Sequence, residues 1–214
     1  FATPPAVTRA LAQRAAHPIY GYTLFPDSLY DSLIDWMLRR HGWTIQRDWI
    51  VMCSGVVPSL NAAVMAFTQP GESVIVQPPV YFPFFSAVTQ TGRKLILNPL
   101  QLENGRYTID FDHLEQCTKH ARLLLLCSPH NPVGRVWNPE ELECLLAIAA
   151  KHDVIVFSDE IHADLIYPGH QHHAIATLPQ NTGKIITAVA PSKTFNIPGL
   201  NLSTLIIPDK SIRN

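Results

Sequence analysis

The chain has 214 residues, of which 47% are hydrophobic and 15% charged, and its formal net charge is −1. Charge this sparse predicts a large buried fraction, with room for an interface beyond the chain's own core. The absence of a basic block argues against nucleic acid as a partner, and no apolar run approaches the roughly 20 residues of a membrane span. Four cysteines lie far apart without a CxxC pair. Buried free thiols in a cytoplasmic, reducing environment explain them most simply.

Short β-rich runs alternate with helical patterns along most of the chain. Residues 1–30 are rich in Pro and Tyr, and we interpret them as an N-terminal arm or part of a small domain, followed by one large domain over residues 31–214. The predicted strands are Trp49–Cys53, Ser73–Val76, Lys94–Leu97, Arg122–Cys127, Val154–Ser158, Ile185–Val189 and Thr204–Ile207. The predicted helices are Pro58–Phe67, Phe82–Thr91, Asp110–Cys117 and Pro139–His152.

This alternation predicts an α/β fold, in which a seven-stranded, mostly parallel sheet is flanked by helices. Runs such as "LLLLC" and "VIVFS" are apolar throughout, as in strands covered on both faces. Only the turn "NIPGLN" precedes the last strand, which is too short for a parallel crossover, so that strand is predicted to be antiparallel. Ligands of such sheets bind at the carboxyl ends of the strands. The residues that follow each strand are therefore the functional candidates.

The first candidate is "SGVVPSL", where a strand turns into a helix at Gly55. The free N–H groups of Gly55, Val56 and Val57 would point at an anion, and the helix dipole favours a phosphate there. An ordinary strand–helix turn explains a single glycine better when it is taken alone.

Two further strand ends carry an aromatic ring and an amide. In "QPPVYFPFF", Tyr81 is closest to the strand end and could cover the face of a ligand ring, whereas core packing is the simpler interpretation of Phe82, Phe84 and Phe85. In "SPHNPVGRVW", the amide of Asn131 could donate to a ligand oxygen or simply form an Asx turn.

The last two strand ends carry ionisable groups. Asp159 of "SDEIH" follows a buried run, so its carboxylate needs a partner: a protonated ring nitrogen, or an N–H group that it caps. His162 follows three residues later and could face the same site. Lys193 of "APSKTF" is predicted to lie at the mouth of the sheet, where desolvation favours its neutral amine, beside the Ser192 hydroxyl.

Together these residues form one constellation on one rim: a phosphate cradle, a ring cover, two polar ring contacts and an amine. Pyridoxal 5'-phosphate (PLP) requires this set, because a lysine forms its Schiff base and a carboxylate keeps its pyridine nitrogen protonated. The pattern therefore predicts a PLP site.

The sequence resembles the fold-type I PLP-dependent enzymes of the aminotransferase class I/II superfamily. Within them it is similar to the MalY/PatB group of cystathionine β-lyases, or C–S lyases. The matching stretches are "YGYT", "SGVVPSL", "QPPVYFPFF", "SPHNPVGRVW", "SDEIH" and "APSKTFNIPGL", in family order over residues 20–200. The resemblance implies that this chain is the large domain of that fold.

The resemblance also implies roles for the residues around the ring. Lys193 matches the Schiff-base lysine, and Asp159 matches the partner of the pyridine nitrogen. Asn131 would contact O3′ of the ring, with His162 nearby where many relatives have Tyr, and Tyr81 would stack on the ring.

Further matching positions concern the phosphate and the neighbouring subunit. Val56, Val57 and Ser192 would hold the phosphate, as the resemblance implies. Tyr22 of "YGYT" is similar to the tyrosine that reaches into a partner's site, which implies a homodimer with shared active sites. The family's C-terminal small domain supplies the arginine that binds the substrate carboxylate, and it is missing from this chain.

The implied activity is β-elimination from cystathionine or a related amino acid, giving thiol, pyruvate and ammonia. One position favours a lyase over an aminotransferase: many aminotransferases have an Arg eight residues after the lysine, where this chain has Asn201. Transamination remains the alternative. A third possibility is a PLP-binding regulator or an inactive truncated chain.

The histidines of "GHQHHAI" could suggest a metal site (His170, His172 and His173). They lack a matching Cys or carboxylate pattern, so a solvated loop is the preferred interpretation and no metal is predicted.

Overall fold

The structure is a computed structural model that describes residues 1–179, 181 and 184–214. Its strands are β1 (Ile50–Cys53), β2 (Ser73–Val76), β3 (Lys94–Leu97), β4 (Gln101–Glu103), β5 (Arg106–Thr108), β6 (Leu123–Cys127), β7 (Ile155–Asp159), β8 (Ile185–Val189) and β9 (Ser203–Ile206). Its α-helices are α1 (Pro5–Ala15), α2 (Asp27–His41), α3 (Val56–Phe67), α4 (Pro83–Thr89), α5 (Phe111–Thr118), α6 (Pro139–Lys151), α7 (Pro191–Thr194) and α8 (Lys210–Arg213).

Seven of these strands form one sheet in the order β1-β9-β8-β7-β6-β2-β3. β9 pairs antiparallel with both of its neighbours, and the other strands run parallel to one another. The predicted α/β class, the seven strands and the antiparallel last strand are therefore confirmed.

Helices cover both faces of the sheet. On one face, α3 and α4 bury Leu60 and Phe84 against β2, β6, β7 and β8. On the other, α5 and α6 bury Leu114 and Leu145 against the same strands. A third cluster places Met37 of α2 beside β1 and β9. The central strands are thus buried on both faces, which explains their unbroken apolar runs.

The sequence prediction missed four helices, α1, α2, α7 and α8, and the hairpin β4-β5. α1 has no buried residue, although Val7 and Leu11 lie four residues apart as in an apolar stripe, and the prediction did not use this spacing. α2 runs from Asp27 to His41 and so continues across residue 30, while the division at that position stays a prediction. The hairpin β4-β5 turns at Asn104 and Gly105, both with positive φ. An Asn-Gly pair is a strong hairpin signal and would have identified it.

The four cysteines are all free, but only Cys117 and Cys127 are buried. Cys53 is half-buried, and Cys144 is exposed because it lies on the face of α6 opposite the buried Leu142. The expectation of buried thiols was wrong for these two. Across the described part of the chain, no helix is both long and apolar enough to cross a membrane.

Candidate active site

A cavity of about 240 Å³ opens at the carboxyl edge of the sheet, beside the start of α3 and α7. Nine of the predicted site residues line it: Gly55, Val56, Val57, Tyr81, Asn131, Asp159, His162, Ser192 and Lys193. Strand register explains part of this convergence, since Cys127 lies beside Asp159, and Asp159 beside Ala188. Tyr22 is the exception, because it is fully exposed and does not line the cavity.

The N-terminus of α3 forms one wall of the cavity. Gly55 is its N-cap residue, with φ 103° and ψ 156°, and no side chain caps the helix. Within the described residues, the N–H groups of Val56 and Val57 have no hydrogen-bond acceptor. The side chain of Asn201 lies close to Gly55: its Oδ1 would be 4.0 Å from a Cβ added at that glycine. Free amides at a helix N-terminus suit an anion such as a phosphate.

Asp159 ends β7 at the floor of the cavity and is 2% exposed. Its Oδ1 accepts a 3.3 Å hydrogen bond from the N–H of Ile161. Burial raises the pKa of Asp159 to about 7, and the nearby charge of Glu160 adds to this, whereas the charge of Lys193 opposes it. A buried carboxylate with so little compensation is suited to a cationic partner in the cavity.

Lys193 lies on α7 at the rim of the cavity, and its residue is exposed. The expected desolvation of Lys193 is therefore wrong for this chain, because α7 has a single turn and no buried residue. His162 is half-buried on the same side. Burial lowers the pKa of His162, and the charge of Lys193 lowers it further, so both effects favour the neutral imidazole.

Tyr81 and Asn131 are joined directly, since the Tyr81 N–H donates a 3.0 Å hydrogen bond to the Asn131 carbonyl. The ring of Tyr81 meets Phe82 edge-on, with centroids 5.3 Å apart. Phe84 is buried and Phe85 half-buried, but Phe82 is 73% exposed. Core packing was the wrong interpretation for Phe82, which precedes α4 at the rim of the sheet.

Comparison with known proteins identifies the family. Residues 1–214 match the family model of aminotransferase class I and II. The chain belongs to this family. It is 46% identical over 213 residues to cystathionine beta-lyase PatB of Bacillus subtilis, covering 98% of this chain and 55% of PatB. It is 30% identical over 217 residues to the protein MalY of Escherichia coli, covering 100% and 55%. The predicted resemblance to this group is confirmed.

A solved structure gives the same result. The crystal structure of cystalysin from Treponema denticola, described as containing a pyridoxal 5'-phosphate cofactor, aligns with a TM-score of 0.95 and 44% identity. It matches 100% of this chain and 55% of that chain. The chain thus spans about half the length of the family members it matches, and it shares their fold.

The cavity lining includes residues that the sequence prediction did not assign to the site. Cys127, Ile161 and Leu202 also line the cavity. Cys127 ends β6 beside Asp159, so the strand-end rule could have found it; burial raises the pKa of its thiol, which rules out a thiolate at neutral pH. Asn201 lines the cavity as well. The sequence feature that points to Asn201 is its position eight residues after Lys193, where many aminotransferases have an Arg.

The histidine-rich loop differs from its predicted state. His172 is buried, and its Nε2 lies 2.9 Å from Oε2 of the buried Glu160, so a solvated loop was the wrong description of this residue. His170 is exposed and His173 half-buried. A search of the described residues finds no cluster of three or more His, Cys, Asp or Glu that could hold a metal ion.

Proposed function

We propose that the protein binds PLP and catalyses β-elimination at the C–S bond of cystathionine or a related cysteine derivative, releasing a thiol, pyruvate and ammonia. One observation carries the cofactor assignment. A buried carboxylate, Asp159, shares a cavity with the amine of Lys193 and the free N-terminus of α3. The two ends of this arrangement suit a cationic ring nitrogen and a phosphate.

The residues present fit the cofactor. Asp159 would hold the protonated pyridine nitrogen, because a cation removes the cost of ionising a buried carboxyl group whose pKa is about 7. Asn131 would donate to the ring oxygen, and Tyr81 would stack on the ring. Lys193 would hold the cofactor covalently. When bound, PLP supplies an electron sink for the electron pair left on the substrate Cα.

The phosphate would lie at the N-terminus of α3. The amides of Gly55, Val56 and Val57 and the hydroxyl of Ser192 are the donors we assign to it. The backbone conformation at Gly55 supports this role, because its φ of 103° turns the chain at the start of the helix and leaves the amides uncapped.

The reaction requires a base, and Lys193 is our candidate. Its Nζ would take the proton from the substrate Cα once the substrate amine has replaced it on the cofactor. The exposed position of Lys193 gives the amine room to move between these two tasks. The neutral His162 on the same wall can donate or accept a hydrogen bond without adding charge.

Two observations favour elimination over transamination. Asn201 stands at the cavity wall in the position where the family resemblance places a phosphate-binding Arg in many aminotransferases. The relatives named above as cystathionine beta-lyase and cystalysin are at least 44% identical to this chain. A lyase is therefore the better supported of the two activities.

We further propose that the protein is a cytoplasmic homodimer with shared active sites. Tyr22 is fully exposed in this chain, as a residue that reaches into a partner's cavity would be. Residues 31–214 would form the large domain, with residues 1–30 as an arm or part of a small domain. A further domain of the whole protein would supply the arginine that binds the substrate carboxylate.

The test is product formation by the whole protein. With PLP and L-cystathionine but no keto acid, β-elimination predicts continuous release of pyruvate in amounts equal to the thiol. Transamination instead predicts a single half-turnover that stops until a keto acid is added. The second outcome would contradict the lyase proposal and leave the cofactor assignment in place. A chain that neither retains PLP nor reacts would contradict both.

A further inference from the structure

The turn that carries Lys193 is held in place by side chains rather than by burial. α7 spans Pro191–Thr194 and contains no buried residue. The hydroxyl of Thr194 donates a 2.7 Å hydrogen bond to Oδ2 of Asp164. Asp164 follows Asp159 in the same loop after β7. The carboxylate of Asp164 therefore connects the loop that follows Asp159 with the turn that carries Lys193.

Asp164 is itself fixed by the end of α2. Its Oδ1 lies 3.2 Å from Nε2 of His41 and 3.7 Å from Nε of Arg40. The side chains of Asp164 and His41 are only 11% and 8% exposed. Burial opposes ionisation of Asp164, but the nearby His41, the hydrogen bond from Thr194 and the charge of Arg40 outweigh it and lower the pKa of Asp164. Among the described residues no donor makes a hydrogen bond of suitable geometry to Oδ1, so His41 and Arg40 act on it through proximity and charge. Asp164 is therefore an ionised, and so a strong, hydrogen-bond acceptor.

His41 is in turn held by a second buried pair. Its ring meets that of His172 edge-on, with centroids 5.7 Å apart. Nε2 of His172 lies 2.9 Å from Oε2 of Glu160, which is 2% exposed. Oε1 of Glu160 accepts two more hydrogen bonds. Because Glu160 follows Asp159 directly, the same network anchors the chain beside both Asp159 and Lys193.

We propose that Asp164 is a positioning residue: through its hydrogen bond with Thr194 it fixes the Lys193 turn relative to Asp159, with His41 and Arg40 packed beside it. The catalytic importance of Lys193 rests on the proposed function. The hydrogen bond between Thr194 and Asp164, called the tether below, is present in the structure whether or not that function is correct. Reacting groups must be held within about 0.5 Å of their productive positions, and a misplacement of about 1 Å can cost about 100-fold in rate. A helix of four residues, none of them buried, needs an anchor to meet that requirement.

The first test measures the tether without the cofactor. Hydrogen exchange would be followed at the amides of Phe195 and Ile197, which donate to carbonyls of the α7 turn. Thr194→Val keeps the shape but removes the hydroxyl. We expect exchange about tenfold faster, the factor for losing one hydrogen bond to a charged group. Thr194→Ser should restore the wild-type rate. Unchanged exchange in the valine variant, or no rescue by serine, would overturn the proposal.

A matched control is Thr91→Val, which removes a half-buried hydroxyl at the end of α4, among residues that do not line the cavity. It should leave exchange in the α7 turn unchanged. If it accelerates that exchange as much as Thr194→Val does, the effect is general loosening and the proposal fails.

The second test asks whether the tether serves catalysis in the PLP-loaded whole protein. Thr194→Val and Asp164→Asn should lower kcat by about 10- to 100-fold with little change in KM, since a displaced base slows the reaction without removing a substrate contact. Thr194→Ser should recover most of kcat. Faster exchange with unchanged kcat would overturn the positioning role and leave the proposed function intact. A wild-type protein without activity would contradict the proposed function, and the exchange measurement would still decide the tether.

Discussion

Asp159 and Lys193 line one cavity, yet they belong to differently built parts of the molecule. Asp159 ends a central strand that is paired on both sides, and it is 2% exposed. Lys193 is the exposed residue of α7, a single turn with no buried residue. Burial sets the electrostatics at the first position, because it raises the pKa of the carboxyl group to about 7. A hydrogen bond that Thr194 donates to the neighbouring loop is the contact we propose to set the geometry at the second.

The two positions therefore differ in what they contribute: Asp159 lowers the stability of the fold, whereas Lys193 supplies a reactive amine with little effect on stability. A buried, poorly compensated carboxyl group destabilises the folded chain until a cation arrives. An exposed lysine costs the fold little and is free to move. We therefore expect substitutions at the two positions to differ in kind, with one acting mainly on stability and the other on activity.

The largest effect should come from Lys193→Ala. Loss of a general base alone typically costs about 10²- to 10⁴-fold in rate, and loss of the covalent anchor should add to this. Stability without cofactor should change by no more than about 0.5 kcal/mol, because the residue is exposed. The measurements are borohydride trapping of PLP on the chain, pyruvate release from L-cystathionine, and urea unfolding of the cofactor-free protein.

Lys184→Ala is the control for that experiment. Lys184 forms an ion pair with Asp153, and it does not line the cavity. It should keep both the covalent label and turnover. If borohydride labels Lys184 in the wild type, or if Lys193→Ala keeps normal turnover, the assignment of the amine is wrong.

The second prediction concerns Asp159→Asn, which should stabilise the cofactor-free protein while weakening its retention of PLP. The folded chain keeps the Asp159 proton up to about pH 7, whereas the unfolded chain releases it near 3.8. The folded state therefore binds more protons in that window, so its stability falls as the pH rises from about 4 to about 7 and stays low above that. Asparagine does not titrate, so the Asp159→Asn variant should not lose stability in this way as the pH rises.

Asp159→Asn should raise the free energy of unfolding of the cofactor-free protein by on the order of 4 kcal/mol at pH 8 and by clearly less at pH 5. Urea unfolding of wild type and variant at both pH values, without PLP, measures it. With saturating PLP the wild type should become more stable than Asp159→Asn, because only the carboxylate can form an ion pair with the protonated ring nitrogen. An equal gain at both pH values would mean that Asp159 does not titrate as described.

The sequence was sufficient for the parts of the site that repeat a simple rule. Five of the seven predicted strands supplied candidates at their ends, and parallel pairing brought Asn131, Asp159 and Lys193 to one cavity. What it could not give were the long-range contacts. The bond from Thr194 to Asp164 and the pairing of His41 with Asp164 join residues far apart in the chain. No local pattern of charge or hydropathy predicts such contacts.

Exposure was the other property that sequence could not supply. "APSKTF" has apolar neighbours around Lys193, which predicted desolvation, but these side chains belong to a short turn at the rim. "GHQHHAI" looks like a solvated loop, yet His172 is buried because Glu160 offers it a partner inside the fold. Both differences depend on where a segment packs, which is decided by the tertiary structure.

The smallest of the expected effects comes from Gly55→Ala, and it extends the comparison to the third wall of the cavity. Gly55 has φ 103° and ψ 156°, a conformation that is almost restricted to glycine. An added Cβ would make ordinary contacts, 3.7 Å from Cδ of Pro58 and 4.0 Å from Oδ1 of Asn201. The cost should therefore arise from the backbone, at about 1 to 3 kcal/mol of stability.

The matched control for Gly55→Ala is Gly42→Ala. Gly42 ends α2 with φ 63°, and nothing lies within 4 Å of its added Cβ. Both variants should lose stability in urea, with the smaller loss at Gly42, because the left-handed helical region costs other residues only about 1–2 kcal/mol. Only Gly55→Ala should weaken PLP binding in a fluorescence titration, since relieving its strain re-aims the amides of Val56 and Val57. If Gly42→Ala weakens PLP binding equally, the amides of α3 are not the phosphate site.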